Sequence, residues 1–334
     1  MFPHPSSWRW PRFGLKVHLL AVLVVSLPLA WLAREFHLVQ LEDQAIAELR
    51  KIKSTAVALD SEATKKWPRW LVALLGEPFF RRIDFINLNE TRVEDADLAR
   101  ISDFRSVREI NLYHTAISDE GLAQLRRTHG LKCLRVRRTR ITDAGLAQLT
   151  ALSQLESLDL AENAITDEGL KPVARLKSLQ DLKLDRTRIT DVGLEQVGTL
   201  LKLKTLALSA NHIDGSGLSH LSQLQHLQKL YLSHVSISDD SLAHLSALTE
   251  MQTLDLSCTP ISNAGLAHLQ GMQELAELEI DGTDIDDSGL VQLKTFAKLS
   301  KVCYSEPRLS YNAGEWLREH FPGIVLSRGS YRNN

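Results

Sequence analysis

An α/β solenoid is the fold class this sequence predicts, and three observations carry it. Residues 83–322 divide into ten units of 24 residues with no insertion between them. Each unit opens on the spacing LxxLxL, which is strand periodicity, and continues with GLxxLxxL, which is helical periodicity. Apolar residues hold the first, fourth, sixth, eleventh, sixteenth, nineteenth and twenty-second places of nearly every unit. Those side chains do not offset the entropy of ordering a whole unit, so a lone unit is not expected to fold. Stacked units share a continuous core and pair their strands into a parallel sheet.

The chain that precedes the repeats is of different material. Residues 17–33 read VHLLAVLVVSLPLAWLA and carry no full charge, with Arg9, Arg12 and Lys16 before them and Arg34 after. A spanning helix needs about 20 apolar residues, with a range of roughly 17–25, so residues 17–34 are expected to form a transmembrane helix. A cleaved signal peptide is the alternative, although Trp31 and Pro28 stand where small residues precede a cut at Ala33 or Ala30. The excess of Lys and Arg before the span predicts a short cytoplasmic N-terminus, residues 1–16, and extracytoplasmic repeats. Residues 35–66 are expected to form a helical stalk, because Leu38, Leu41, Ala45, Leu49, Ile52 and Ala56 recur at steps of three and four. That run is too short to require a coiled coil; a single helix lying on the membrane or on the solenoid accounts for it equally. Residues 67–82 are expected to be an N-terminal cap, with Trp70, Leu71, Leu74, Leu75, Phe79 and Phe80 covering the first coil.

In the first nine units the ninth place is Thr or Asn except at Val235, and a short polar side chain there can satisfy backbone groups where the chain leaves the strand. Asp at the thirteenth place, as in Asp119, Asp143 and Asp167, predicts a helix N-cap. The Gly two places later, as in Gly145 and Gly193, leaves room for close coil packing. The tenth unit departs from the pattern: Pro307 replaces Thr and the DxGL run is lost. Trp316, Phe321, Ile324 and Leu326 are expected to close that edge, and residues 323–334 to be a C-terminal cap and tail.

The run LxxLxLxx(T/N)xIxDxGLxxLxxL resembles the leucine-rich-repeat family, in a variant similar to its cysteine-containing subtype with Thr replacing Cys or Asn. The anchor and stalk ahead of the array are similar to those of membrane-anchored bacterial leucine-rich-repeat proteins. The resemblance implies a right-handed, horseshoe-shaped solenoid with the parallel sheet on its concave face and helices on its convex face. It also implies partner binding on the concave face, and it carries no shared catalytic residues.

Composition narrows the chemistry further. The formal net charge of -2 points to no nucleic-acid partner, and no stacking aromatics punctuate the arginines. Cys133, Cys258 and Cys303 form no CxxC pair and no disulfide framework. His220, His244 and His268 share the eighteenth place of consecutive units. Neighbouring helices lie about 8–10 Å apart, too far for three imidazoles each about 2 Å from one metal. No metal, cofactor or catalytic constellation is therefore expected, and Asp255 beside Glu279 reads as paired surface acids.

The variable strand places map the concave face. Arg135, Arg137, Arg138 and Arg140 in the third coil, with Lys183, Arg186 and Arg188 in the fifth, predict a basic zone. Asp255, Glu279 and Asp281 predict an acidic zone later in the stack, and Tyr113, His114 and Tyr231 are candidate contacts. The expected function is a membrane-anchored scaffold that binds a protein, or a polysaccharide, through these residues. The alternatives are an envelope structural protein that self-associates and an adaptor for protein turnover.

Overall fold

A computed structural model describes residues 15–51, 56–59, 68–80, 83–101, 104, 106–304 and 309–328. The side chains of residues 15–25, 28, 56–59, 78, 311 and 328 lie outside the described residues, as do Pro307 and residues 1–14 and 329–334. A long helix, α1 (Leu15–Leu49), opens the described chain and is followed by a strand, β1 (Ala56–Leu59), and two short helices, α2 (Arg69–Leu75) and α3 (Glu77–Phe80). The repeats supply strands β2 (Ile83–Asn87), β3 (Glu109–Asn111), β4 (Cys133–Arg135), β5 (Ser157–Asp159), β6 (Asp181–Lys183) and β7 (Thr205–Ala207). They continue with β8 (Lys229–Tyr231), β9 (Thr253–Asp255), β10 (Glu277–Glu279) and β11 (Lys301–Tyr304), and β12 (Val325–Arg328) ends the sheet.

All twelve strands lie in one sheet in chain order. From β2 onward they are parallel, and each residue pairs with the one 24 places later: Phe85 with Glu109, Leu158 with Leu182, Glu277 with Lys301. The middle residue of each strand points into the core and is fully buried, as at Ile110, Leu158 and Leu230. Its two neighbours face outward, as the period of two requires. Strands stack at about 4.8 Å while packed helices need about 8–10 Å, which bends the array with the sheet on the inner side. The phase also outlasts the tenth coil. Val325 pairs with Lys301, so β12 is an eleventh parallel strand, and Trp316, Phe321, Ile324 and Leu326 pack against the core beside it.

The turn after each strand has a shared backbone requirement. Glu90, His114, Arg138, Glu162, Arg186, Ala210, His234 and Cys258 all have φ between 52° and 57°, and Gly282 occupies the same eighth place at 65°. One residue farther on, the hydroxyls of Thr91, Thr115, Thr187 and Thr259 donate to the carbonyls of Leu88, Leu112, Leu184 and Leu256. Asn163 and Asn211 add a link between coils: each amide donates to its own coil and to the preceding one. Their side-chain oxygens accept from Thr139 and Thr187 respectively.

The Asp of the repeat is not the N-cap. That role falls one place earlier, to Ser118, Thr142, Thr166, Thr190 and Ser262, whose hydroxyl oxygens accept from the backbone N–H two residues on. The Asp instead clamps the following coil. Asp143 accepts from the Thr166 N–H at 2.9 Å and its hydroxyl at 2.6 Å; Asp167 does the same for Thr190. This is also why Gly stands at the fifteenth place. A Cβ on Gly169 or Gly193 would lie 2.3 Å from the carboxylate oxygen of the preceding Asp. The coils with a side-chain cap form α-helical turns, whereas the sixth, seventh and ninth have no such cap and tighten into 3-10 turns.

The N-terminal end differs from expectation. The second half of α1 lies on the solenoid, one of the placements expected of it, with Ala45, Ile46 and Leu49 buried in the same core as Ile83 and Ile86. The helix ends at Leu49, however, and Ala56, expected to continue its stripe, lies in β1. β1 then pairs antiparallel with β2 and closes the sheet edge. Of the expected cap residues, Phe80 is buried, but Trp70 and Leu74 are 68% and 71% exposed. Packing chose the helix whose apolar stripe is continuous with the first coil, leaving α2 outside.

Candidate binding surface

Every coil contributes outward residues at its third and fifth places on the strand and at its seventh on the turn. Successive strands bring each set into a column. The fifth-place column reads Arg135, Asp159, Lys183, Ala207, Tyr231, Asp255, Glu279 from the third coil to the ninth. Residues in one column are neighbours at about 4.8 Å of strand spacing, so this surface is decided by adjacent coils.

The arginines of the expected basic zone are not equivalent. Arg135 pairs with Glu109 and Arg137 pairs with Glu162, through Nε at 3.0 Å and a second guanidinium nitrogen at 2.5 Å. The Arg137 hydrogen bond holds the Glu162 carboxyl below the usual carboxylate range. Arg137 also lies over the Tyr113 ring at 5.9 Å, and that ring is 5.9 Å from the His114 imidazole. Tyr113, His114, Arg137 and Glu162 therefore form one cluster across the second to fourth coils. Arg138, Arg140, Arg186 and Arg188 make no ion pair among the described residues.

A depression of about 400 Å³ opens beside this cluster. Thr205, Ala207 and Ser209 of the sixth coil lie between the larger residues of its neighbours. Arg137, Lys183, Lys229 and Tyr231 line its sides with Asp181 and Asp185. Both acids take donors from the protein itself: Ser157 donates to one oxygen of Asp181 at 3.3 Å, leaving the other buried without a partner, and the Ser209 N–H donates to Asp185 at 3.0 Å. Burial pushes the Asp185 carboxyl up, as it does that of Asp159 beyond the rim. Lys183 and Lys229 have no acceptor among the described residues, so the depression offers free ammonium donors against a partly desolvated wall.

The acidic zone is real in geometry but softened in charge. Glu279 pairs in register with Asp255, which is 8% exposed. Burial, reinforced by Asp255, raises the Glu279 carboxyl, while Lys301 approaches both Glu277 and Glu279 at 3.2 and 3.7 Å. Burial and these acids raise the Tyr231 hydroxyl too. Asp281 sits outside the pair and has a buried carboxylate oxygen with no hydrogen-bond partner. The sequence-nominated residues thus fall into three groups: the Tyr113 cluster, the depression with Lys183 and Tyr231, and the Asp255–Glu279 pair. His114 and Tyr231 are not brought together.

Reading residues singly misses the floor of the depression. Ala207 and Ser209 matter because they are small beside Lys183 and Tyr231, a contrast visible once the fifth and seventh places are read down the stack. Lys229 at a third place was likewise outside the nominated set. Burial raises the thiols of Cys133, Cys258 and Cys303, which disfavours the reactive thiolate. Among the described residues no group of three His, Cys, Asp or Glu could hold a metal ion.

The comparisons agree with this architecture. A family model described as a leucine-rich repeat region matches residues 120–317. Among solved structures, the chain is similar to an internalin, InlF, of Listeria monocytogenes: 21% identity, covering 70% of this chain and 71% of that one, with a TM-score of 0.56. Internalin C2 of the same organism is similar at 21% identity, 71% and 84% coverage and a TM-score of 0.48. A leucine-rich-repeat protein of Leptospira interrogans is similar at 17% identity, 69% and 74% coverage and 0.45. No curated protein matches the chain in sequence.

Proposed function

The chain belongs to the leucine-rich-repeat family, and from that premise we propose that it is a non-enzymatic scaffold whose sheet face binds an acidic segment of a partner protein. The observation that carries this reading is the depression across the third to seventh coils. Lys183 and Lys229 stand there without acceptors, while Asp181 and Asp185 already accept from Ser157 and Ser209. An entering carboxylate finds two ammonium donors on Lys183 and Lys229, and Tyr231 supplies an apolar ring beside it. Arg138, Arg186 and Arg188 extend the positive rim, which favours encounter with an acidic partner. A polysaccharide fits less well, because Tyr231 is the one aromatic ring among the lining residues.

The scaffold is tethered, in this reading, by the N-terminal half of α1. Its support is the uncharged run 17–33 within a helix of 35 residues, with Leu27 and Leu29 65% and 58% exposed. Among the described residues no helix is long and apolar enough to cross a membrane, and most side chains of that run lie outside them. The charge bias Arg9, Arg12 and Lys16 against Arg34 supports a cytoplasmic N-terminus with extracytoplasmic repeats.

Crosslinked capture by the anchored full-length chain tests the function. A protein enriched over an anchor-only control and lost in the Lys183→Glu, Lys229→Glu variant supports docking. Equal enrichment by that variant, with its fold intact by circular dichroism, refutes it.

A further inference from the structure

The N-terminal cap contains a helix that the protein does not bury. In α2, six of seven residues are apolar, RWLVALL, and none is buried. Trp70, Ala73 and Leu74 are spaced to share one helical face, and all three are exposed; Leu71, Val72 and Leu75 turn partly toward the protein. Trp70 and Leu74, at 68% and 71%, are among the most exposed large apolar residues described. A contiguous apolar patch of this kind marks a surface that something covers.

Its position says what covers it. After Gly76, the chain runs into α3, and Phe79 there packs on α1 at two points. Its ring lies 6.4 Å from Trp31 and 5.1 Å from Phe36. Trp31 is within the uncharged run 17–33, and Phe36 lies just beyond Arg34 and Glu35, the first charges after it. The α3 helix, joined to α2 through Gly76, is therefore clasped to α1 at the level where apolar helix gives way to charged helix. Leu27, Leu29 and Trp31 are exposed on α1 on the apolar side of that level. Trp70 and Leu74 expose further apolar surface in the helix that Gly76 joins to α3, and Arg34 and Arg69 are exposed as well. Tryptophan with flanking arginine is the composition of a membrane–water boundary, where the ring sits among headgroups and the guanidinium meets phosphate.

We infer that α2 is a second membrane contact: its Trp70–Leu74 face lies in the headgroup region of the bilayer that holds α1. This inference rests on the reading of α1 as an anchor. The buried second half of α1 joins the solenoid firmly to the anchor, but a single spanning helix can still tilt and rotate about its own axis in the bilayer. Two contacts clasped together through Phe79 fix the first coil against the lipid surface, and with it the direction in which the sheet face points. The occupant is lipid rather than a second copy of the chain because Phe79, three residues beyond Gly76, seats the adjoining α3 on α1 at the end of the uncharged run. The exposed apolar residues of the solenoid, Val192, Leu201 and Val291, have no such link to that run.

The full chain, reconstituted in vesicles of zwitterionic and anionic phospholipid, provides the test. Cys133, Cys258 and Cys303 are replaced by Ser, and single cysteines are introduced as Leu29→Cys, Leu74→Cys and Val192→Cys for an environment-sensitive fluorophore. Spin-labelled lipid is expected to quench the label at position 74 several-fold more than at 192, with quenching at 29 stronger still. Quenching at 29 without quenching at 74 overturns the inference and leaves the anchor standing. Lack of quenching at both sites overturns the anchor reading itself. A blue-shifted label at 74 that lipid does not quench assigns the patch to protein contact and likewise overturns the inference. Trp70→Ser with Leu74→Ser supplies a second readout. The anchored protein stays in the membrane, but a label at position 192 becomes more mobile by electron spin resonance; unchanged mobility counts against a fixed orientation.

Discussion

Asp167 and Gly193 form a pair that neither residue explains alone. The carboxylate of Asp167 accepts from the Thr190 N–H and hydroxyl, and it fits only because Gly193 has no Cβ; one placed there would sit 2.3 Å from the carboxylate and 2.9 Å from Leu170 Cδ1. Gly193→Ala is expected to cost about 1–3 kcal/mol by overpacking, and Asp167→Ala a similar amount by leaving donors unmet. Combined, they are expected to cost less than the sum by at least about 0.5 kcal/mol, measured by denaturant unfolding. The sixth coil shows the converse: Gly215 takes the Asp place, and the next coil then carries Ser241 where others have Gly. The spacing DxG is plain in the sequence, but its reason is not, because the two partners lie 26 residues apart in consecutive coils. The same scale holds a pH prediction. Burial raises the folded-state Asp159 carboxyl, so its contribution to stability is present at low pH and lost as pH rises through the folded value. Asp159→Asn keeps an acceptor for the Ala161 N–H, and it is expected to raise the melting temperature at neutral pH. That gain closes as pH falls through the carboxylate range.

At the scale of the coil, the polar ninth place decides how well each turn is tied. Val235 is buried at 3% exposure where all eight of the other coils with a described ninth place, including Thr187 and Thr259, have a side chain that donates to the carbonyl three residues back. Val235→Thr is expected to stabilise the protein by about 0.5–1.5 kcal/mol, read as a higher denaturant midpoint at unchanged slope. Strand and helix periodicity made these coils legible, since every apolar place they predicted in the fourth unit, from Leu155 to Leu176, is buried. The eighth place was not legible. Glu, His, Arg, Ala and Cys carry no signal for left-handed backbone, and Gly282 alone hints at it. The surrounding ladder imposes that conformation on whichever residue arrives there.

Over the whole molecule, the repeat phase was readable and the ends were not. An apolar run such as WPRWLVALLGEPFF looks like a cap in sequence, because sequence does not say which of two apolar helices meets the first coil. The structure gives that place to Ala45, Ile46 and Leu49 with β1, and leaves Trp70 and Leu74 exposed. Deleting residues 15–59 is therefore expected to lower the unfolding temperature and promote self-association in gel filtration, since it uncovers Ile83 and Ile86 and frees the β2 edge. The charge map of the sheet face was half legible. Column reading finds Lys183 and Arg137, but only the fold reveals that Glu162 ion-pairs with Arg137 while Lys183, in register with Asp159, makes no ion pair among the described residues. The central claim is that this face docks a partner protein at the depression beside Tyr231. A photoreactive phenylalanine analogue at Tyr231, compared with one at Val192 on the helix side, tests it most directly in the anchored full-length chain. The account predicts one discrete protein adduct from position 231 that an excess of acidic peptide suppresses. An adduct formed from position 192 and absent at 231 would contradict it.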